Sequence, residues 1–261
     1  MRPIGVFDSG VGGLTVVAAL ARRLPGESIL YLGDTARLPY GTKSAATVSR
    51  YTRRNIDFLM RRGVKAVVVA CNTASSVALD GFEEPVPLWG VIEPGARRAA
   101  AASRGRVGVI ATEATVRSGA YERALARLRP ELAIVSQPCP LFVPLVEEGW
   151  HDDPVAEQVA RRYLEPVLAR GIDTLVLGCT HYPLLAPTLQ RVVGERVTLV
   201  DSAESVAAEV AGELARLDLL APASGAPESH FCVTDDAARF SGLAARILGR
   251  PRVSLELVDV S

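Results

Sequence analysis

Lysine is nearly absent, with Lys43 and Lys65 the only two in 261 residues. A pyridoxal enzyme holds its cofactor as a Schiff base on lysine, so only these two positions could serve. Lys65 precedes an apolar run, at the end away from Cys71, and Lys43 sits beside a turn. Neither is well placed, and no cofactor is expected. Cysteine is sparse as well. Cys71, Cys139, Cys179 and Cys232 include no Cys-x-x-Cys pair, which argues against a disulfide framework. Cys179 and His181 have no neighbouring ligands at zinc spacing, so no metal is expected either. No apolar run reaches the ~18 residues of a membrane-spanning helix. The start, Met-Arg-Pro-Ile-Gly-Val-Phe-Asp, passes into a strand-like run without a signal-peptide apolar region. A cytoplasmic protein with no membrane partner is expected. Net charge is missing too, because 29 Lys plus Arg balance 29 Asp plus Glu. That leaves no electrostatic footprint for nucleic acid or an anionic surface.

What is present is a chain rich enough in apolar residues, at 49%, to bury sizeable cores in roughly two domains of about 130 residues. Its organising stretch is Gly171-Ile-Asp-Thr-Leu-Val-Leu-Gly-Cys-Thr-His-Tyr-Pro183. Leu175, Val176 and Leu177 suit a parallel strand covered on both faces, and Pro183 suits the opening of a helix. Cys179 then stands at a strand's carboxyl end, the rim where open α/β sheets bind ligands. The first half repeats this. Arg62-Gly-Val-Lys-Ala-Val-Val-Val-Ala-Cys-Asn-Thr73 overlays Arg170-Gly-Ile-Asp-Thr-Leu-Val-Leu-Gly-Cys-Thr-His181 without a gap, pairing Cys71 with Cys179.

In chain order, Ile4 to Phe7 reads as a strand leading through Asp8-Ser9-Gly10-Val11-Gly12-Gly13 into a helix from Leu14 to Leu24. Thr15 stands where a dinucleotide fingerprint needs its third glycine, so the glycines are expected to admit a smaller ligand. Asp8 and Ser9 read equally as a helix cap or as ligand contacts. Ser28 to Leu32 is a strand, followed by a loop containing Pro39-Tyr40-Gly41, a turn or a rim contact. A helix follows from Ser44 to Arg61. After Cys71, Asn72 and Thr73 open a helix suited to holding a carboxylate on free backbone N–H groups. Pro85 to Ile92 is strand-like, and Glu93-Pro94-Gly95 marks a crossing into the second half. Strands at 106–110, 132–135 and 197–200 and helices at 115–128, 152–168 and 203–217 build a second sheet. A flexible loop over 221–227 leads to a short strand at 230–234.

If the halves face each other, Cys71 and Cys179 approach one point from opposite sides. A carbon between them can lose a proton on one face and gain one on the other, which inverts a stereocentre. A free thiol has a pKa of about 8.5, and cationic neighbours or helix N-termini lower it, so a thiolate fraction at neutral pH is attainable at both rims. The Cys-x-His spacing favours a role for His181 beside Cys179. Glu147 reads on its own as a solvated carboxylate. Cys139 and Cys232 read as buried small apolar residues, and His151 and His230 as structural.

At these residues the chain resembles the glutamate racemases of the aspartate/glutamate racemase superfamily. The resemblance is carried by Phe7-Asp-Ser-Gly-Val-Gly-Gly-Leu14, Gly33-Asp34 leading to Pro39-Tyr-Gly41, Cys71-Asn-Thr-Ala-Ser75, Val91-Ile-Glu-Pro-Gly95 and Gly178-Cys-Thr-His-Tyr-Pro183. It spans nearly the whole chain. It implies a cofactor-independent isomerase that interconverts L- and D-glutamate and supplies D-glutamate for peptidoglycan, with Cys71 and Cys179 as the two bases. Cys71 would take the proton from D-glutamate and Cys179 from L-glutamate. Asp8, Glu147 and His181 match residues that assist proton transfer. Asp8, Ser9, Tyr40, Gly41, Asn72, Thr73, Thr180 and His181 match substrate-binding positions. The implied fold is α/β, with two pseudo-symmetric domains, each a mostly parallel sheet flanked by helices, and an active site in the cleft between them. The expected division is 1–94, 95–206 and a segment 207–261 returning to the first domain. The expected partner is a small-molecule substrate, with a homodimer as the assembly. Three rival readings stay open: an aspartate or other acidic amino-acid racemase, a Cys/His hydrolase using Cys179 alone, and a non-catalytic amino-acid binder.

Overall fold

The structure, a computed structural model, describes residues 2–79, 85–222, 227–249 and 253–260. The chain first alternates β1 (Ile4–Asp8), α1 (Leu14–Arg23), β2 (Ile29–Gly33), α2 (Ala45–Arg61), β3 (Ala66–Val69), α3 (Asn72–Ala78), β4 (Leu88–Gly90) and α4 (Ile92–Ala102). It continues with β5 (Arg106–Ala111), α5 (Glu113–Ser118), α6 (Ala120–Leu128), β6 (Ala133–Pro138), α7 (Phe142–Glu147), α8 (Pro154–Leu168), β7 (Thr174–Gly178), α9 (Ala186–Val193), β8 (Thr198–Asp201) and α10 (Ser202–Arg216). The last elements are β9 (His230–Val233), α11 (Ala237–Leu248) and β10 (Leu255–Leu257). The expected loop over 221–227 lies partly outside the described residues.

Every strand pairing among the described residues is parallel. One sheet runs β10-β9-β2-β1-β3-β4 and the other β6-β5-β7-β8. Without β9 and β10, the first sheet reads β2-β1-β3-β4, the same order as β6-β5-β7-β8. The internal repeat seen around the two cysteines therefore extends to four strands, with β3 matching β7 and β1 matching β5. Helices cover both faces, so β1, β2, β3 and β7 are buried at every position. That burial is why these strands are continuous apolar runs without alternation.

The helix boundaries follow from local chemistry. Ser44 caps α2 by accepting from the Thr47 N–H, and Asp153 caps α8 ahead of Pro154 by accepting from the Val155 N–H. The single helix expected over 115–128 is broken into α5 and α6 by Gly119, which takes a left-handed φ of 64°. Glu93-Pro94-Gly95, expected as a crossing, lies in the first turns of α4, where proline is tolerated. Both seams of the expected division, 94/95 and 206/207, fall inside helices, α4 and α10. These two helices pack against each other, and α10 also packs against α1. Among the described residues no helix is long and apolar enough to cross a membrane.

Candidate active site

The carboxyl ends of β3 and β7 open onto one cavity of about 440 Å³, lined by both cysteines. Ser9, Tyr40, Gly41, Asn72, Thr73, Glu147, Thr180 and His181 share that lining. Of the expected site residues, Asp8 alone does not line it, lying fully buried at the end of β1. The lining has no lysine or arginine, and its one cationic side chain is His181. Lys65 is engaged elsewhere, its Nζ 2.6 Å from Glu27 and bonded to the Leu219 carbonyl.

On the first rim, Cys71 is the N-cap of α3, its Sγ accepting from the Ala74 N–H at 3.5 Å. The Sγ also donates to Ser9 Oγ at 3.6 Å. Burial pushes the Cys71 thiol up to about 12, and the neighbouring Asp8 carboxylate adds to the rise. The thiolate fraction that the sequence allowed at both rims is therefore not held at Cys71 before a ligand arrives. Asp8 is raised by its own burial, against the His181 charge and the N–H groups of Gly10 and Gly13. The Gly10 N–H donates to Asp8 Oδ2 at 2.9 Å, while α1 starts at Gly13 with no side-chain cap. The helix-cap reading of Asp8 and Ser9 gives way to a carboxylate held by its own loop.

On the second rim, Cys179 Sγ lies 3.9 Å from His181 Nδ1, and His181 Nε2 lies 3.2 Å from Glu147 Oε1. Burial disfavours a charged imidazole, but the hydrogen bonds and charges of Cys179 and Glu147 outweigh it and raise His181 to about 10. Glu147 is thus no solvated surface carboxylate. It ends α7, with a side chain 19% exposed.

The rims are stitched across the cleft at matching places. Thr180 Oγ1 donates to Asp8 Oδ1 at 3.4 Å, and Thr73 Oγ1 lies 3.0 Å from Thr112 Oγ1 and 3.3 Å from Thr115 Oγ1. Gly12 permits the first of these seams. A Cβ there would stand 2.5 Å from His181 Nδ1 and clash with Thr180 as well. The loop glycine admits the opposite rim, where the sequence suggested a ligand. Thr112 and Glu113 line the cavity and were not expected. Thr112 follows β5 as Ser9 and Asp8 stand at the end of β1, so extending the internal repeat beyond the cysteines finds it. Asn72 accepts from Tyr121 Oη at 2.7 Å, and its buried Nδ2 has no hydrogen-bond partner among the described residues. That leaves an unpartnered buried donor on a residue that lines the cavity.

A model of the Asp/Glu/hydantoin racemase family matches residues 4–210. The chain belongs to that family. Among its relatives, glutamate racemase from Syntrophus aciditrophicus is 54% identical over 263 residues, covering 100% of this chain and 97% of its own length. A glutamate racemase isoform from Bacillus anthracis has a crystal structure that superposes with a TM-score of 0.95 at 40% identity, over 99% of this chain and 97% of that one. The Francisella tularensis glutamate racemase, crystallised in complex with D-glutamate, gives a TM-score of 0.93 at 38% identity, over 99% and 98%. The racemase fold, with its two parallel sheets, is thus shared along the whole length.

Proposed function

We propose that this protein interconverts L- and D-glutamate by proton transfer at Cα, without a cofactor, using Cys71 and Cys179 as the two acid/bases. The observation that carries the reading is two thiols at the same position of two like-ordered sheets, lining one cavity. In the L-to-D direction the Cys179 thiolate takes the Cα proton, leaving a carbanion. The Cys71 thiol then returns a proton to the opposite face, and the reverse direction exchanges the roles. His181, oriented by Glu147, is the group through which Cys179 exchanges its proton. Asp8, buried behind the Ser9 and Cys71 lining, adds its charge to the burial that holds Cys71 protonated, and a substrate ammonium on the cavity side offsets that added charge.

Glutamate's carboxylates meet hydrogen-bond donors here and no guanidinium. Asn72 Nδ2, the Thr73 hydroxyl and the backbone near Ser9, Gly41 and Thr180 supply them. The names of the relatives, and the D-glutamate in one of them, support glutamate as substrate over aspartate. The reading extends to supplying D-glutamate for peptidoglycan in the cytoplasm, where free thiols stay reduced. It also takes 1–94 with 207–261 as one lobe and 95–206 as the other, supported by β9 and β10 joining the first sheet.

The test is to incubate chelator-treated enzyme, without pyridoxal phosphate, with L-glutamate in D₂O. D-Glutamate carrying deuterium at Cα is the expected product. Unlabelled, unchanged glutamate contradicts the reading, and faster turnover of aspartate moves it to another acidic amino acid.

A further inference from the structure

Behind the Tyr40–Gly41 wall of the cavity lies a buried carboxylate that proton transfer does not use. Asp34 follows β2, is fully buried, and does not line the cavity. Four donors converge on it. Oδ2 accepts from Tyr40 Oη at 2.5 Å, from Asn55 Nδ2 at 3.2 Å and from Arg37 Nη1 at 3.4 Å, and Oδ1 accepts from Thr234 Oγ1 at 3.1 Å. Its own N–H donates to the Asp8 carbonyl at 3.0 Å. These partners come from the loop itself, from α2, from the end of β1 and from the stretch after β9.

The C-terminal segment closes the arrangement. Thr234 Oγ1 also accepts from the Ala36 N–H at 2.9 Å, Thr35 and Asp235 exchange two hydrogen bonds, and Arg37 Nη2 reaches the Val260 carbonyl at 3.3 Å. Tyr40 therefore has its hydroxyl fixed at Asp34 while the residue lines the cavity. A buried carboxylate persists where every lone pair is used, and it then fixes direction as an apolar contact cannot.

We propose that Asp34 is the positioning residue of the Tyr40–Gly41 loop, through which the C-terminal segment holds that wall of the cavity in register for substrate. The proposal rests on the reading that this loop binds glutamate. It places the effect in substrate binding, because Asp34 touches neither thiol.

Three near-isosteric variants test it by steady-state racemisation in both directions. Tyr40→Phe keeps the ring and the backbone and removes the hydroxyl that donates to Asp34 and accepts from Asn55 Nδ2 at 3.1 Å. It should raise KM about tenfold for both enantiomers with kcat within about threefold. Thr234→Val, outside the cavity, should raise KM in the same sense by about threefold. Asp34→Asn should be partly rescued, since its carbonyl keeps the Tyr40 side and its amide can donate to the Thr234 hydroxyl, so its KM stays below that of Tyr40→Phe. KM within twofold of the parent in Tyr40→Phe, or a loss confined to kcat, overturns the proposal alone. A parent enzyme that leaves glutamate untouched overturns the function reading and this proposal with it.

Discussion

Cys71 ends its strand among Ser9 and the buried Asp8, whereas Cys179 ends the matching strand beside the His181–Glu147 pair. The seams between the rims differ in the same way. The residues after Cys179 meet a carboxylate at the end of β1, and Thr73, after Cys71, meets only hydroxyls after β5. Backbone symmetry has been kept while the charges were not. On one rim burial, with the Asp8 charge adding to it, keeps the thiol protonated, and the other rim carries an imidazolium. A carbon between them meets a proton donor on one side and a thiol that can exchange its proton on the other. An ammonium near Asp8 would weaken the bias by neutralising the charge that adds to burial at Cys71.

Removing either thiol breaks this comparison most severely. Cys71→Ser and Cys179→Ser should each lower racemisation by about 10³-fold, because both directions need one base and one acid. Polarimetry of L- and of D-glutamate measures it, and a variant within tenfold of the parent would remove its cysteine from the reaction. A smaller effect sharpens the second rim. His181, raised to about 10, stays charged through neutral pH, and Glu147 is one cause of that rise. In Glu147→Gln the imidazole loses its proton at lower pH, so activity falls on a basic limb the parent lacks. At pH 9 the loss should be about tenfold, and at pH 6.5 within about threefold. Parallel pH profiles for the two proteins would contradict the Glu147–His181 link.

The strands of the two repeated units, the two cysteine rims and the helix starts near Ser44 and Asp152 were legible because burial on both faces writes unbroken apolar runs, whereas β10 (Leu255–Leu257) was not. The pairing of Cys71 with Cys179 was legible as a repeat, and with it the expectation of one shared cavity. The rest depends on contacts distant in sequence. Gly12 makes room for Thr180 and His181, and no local pattern marks a glycine that serves the opposite sheet. Asp34 has a partner in Thr234, 200 positions away, and Val260 holds Arg37 beside it, contacts no local pattern shows. Cys71 is raised first by its burial and then by Asp8 at the end of the neighbouring strand, neither of which a cysteine at a helix start displays in sequence.

The central claim is that each thiol serves one enantiomer. Glutamate racemisation alone cannot show this, since the enantiomers are equal in free energy and kcat/KM in the two directions must fall together whichever thiol is lost. An analogue with a good leaving group at the β carbon removes that constraint, because proton abstraction then ends in elimination and needs no acid on the far face. Release of the leaving group from the L- and D-analogues should therefore be followed in both serine variants. Cys71→Ser should retain elimination from the L-analogue and Cys179→Ser from the D-analogue. Both variants processing the same enantiomer would contradict the assignment of one thiol to each face.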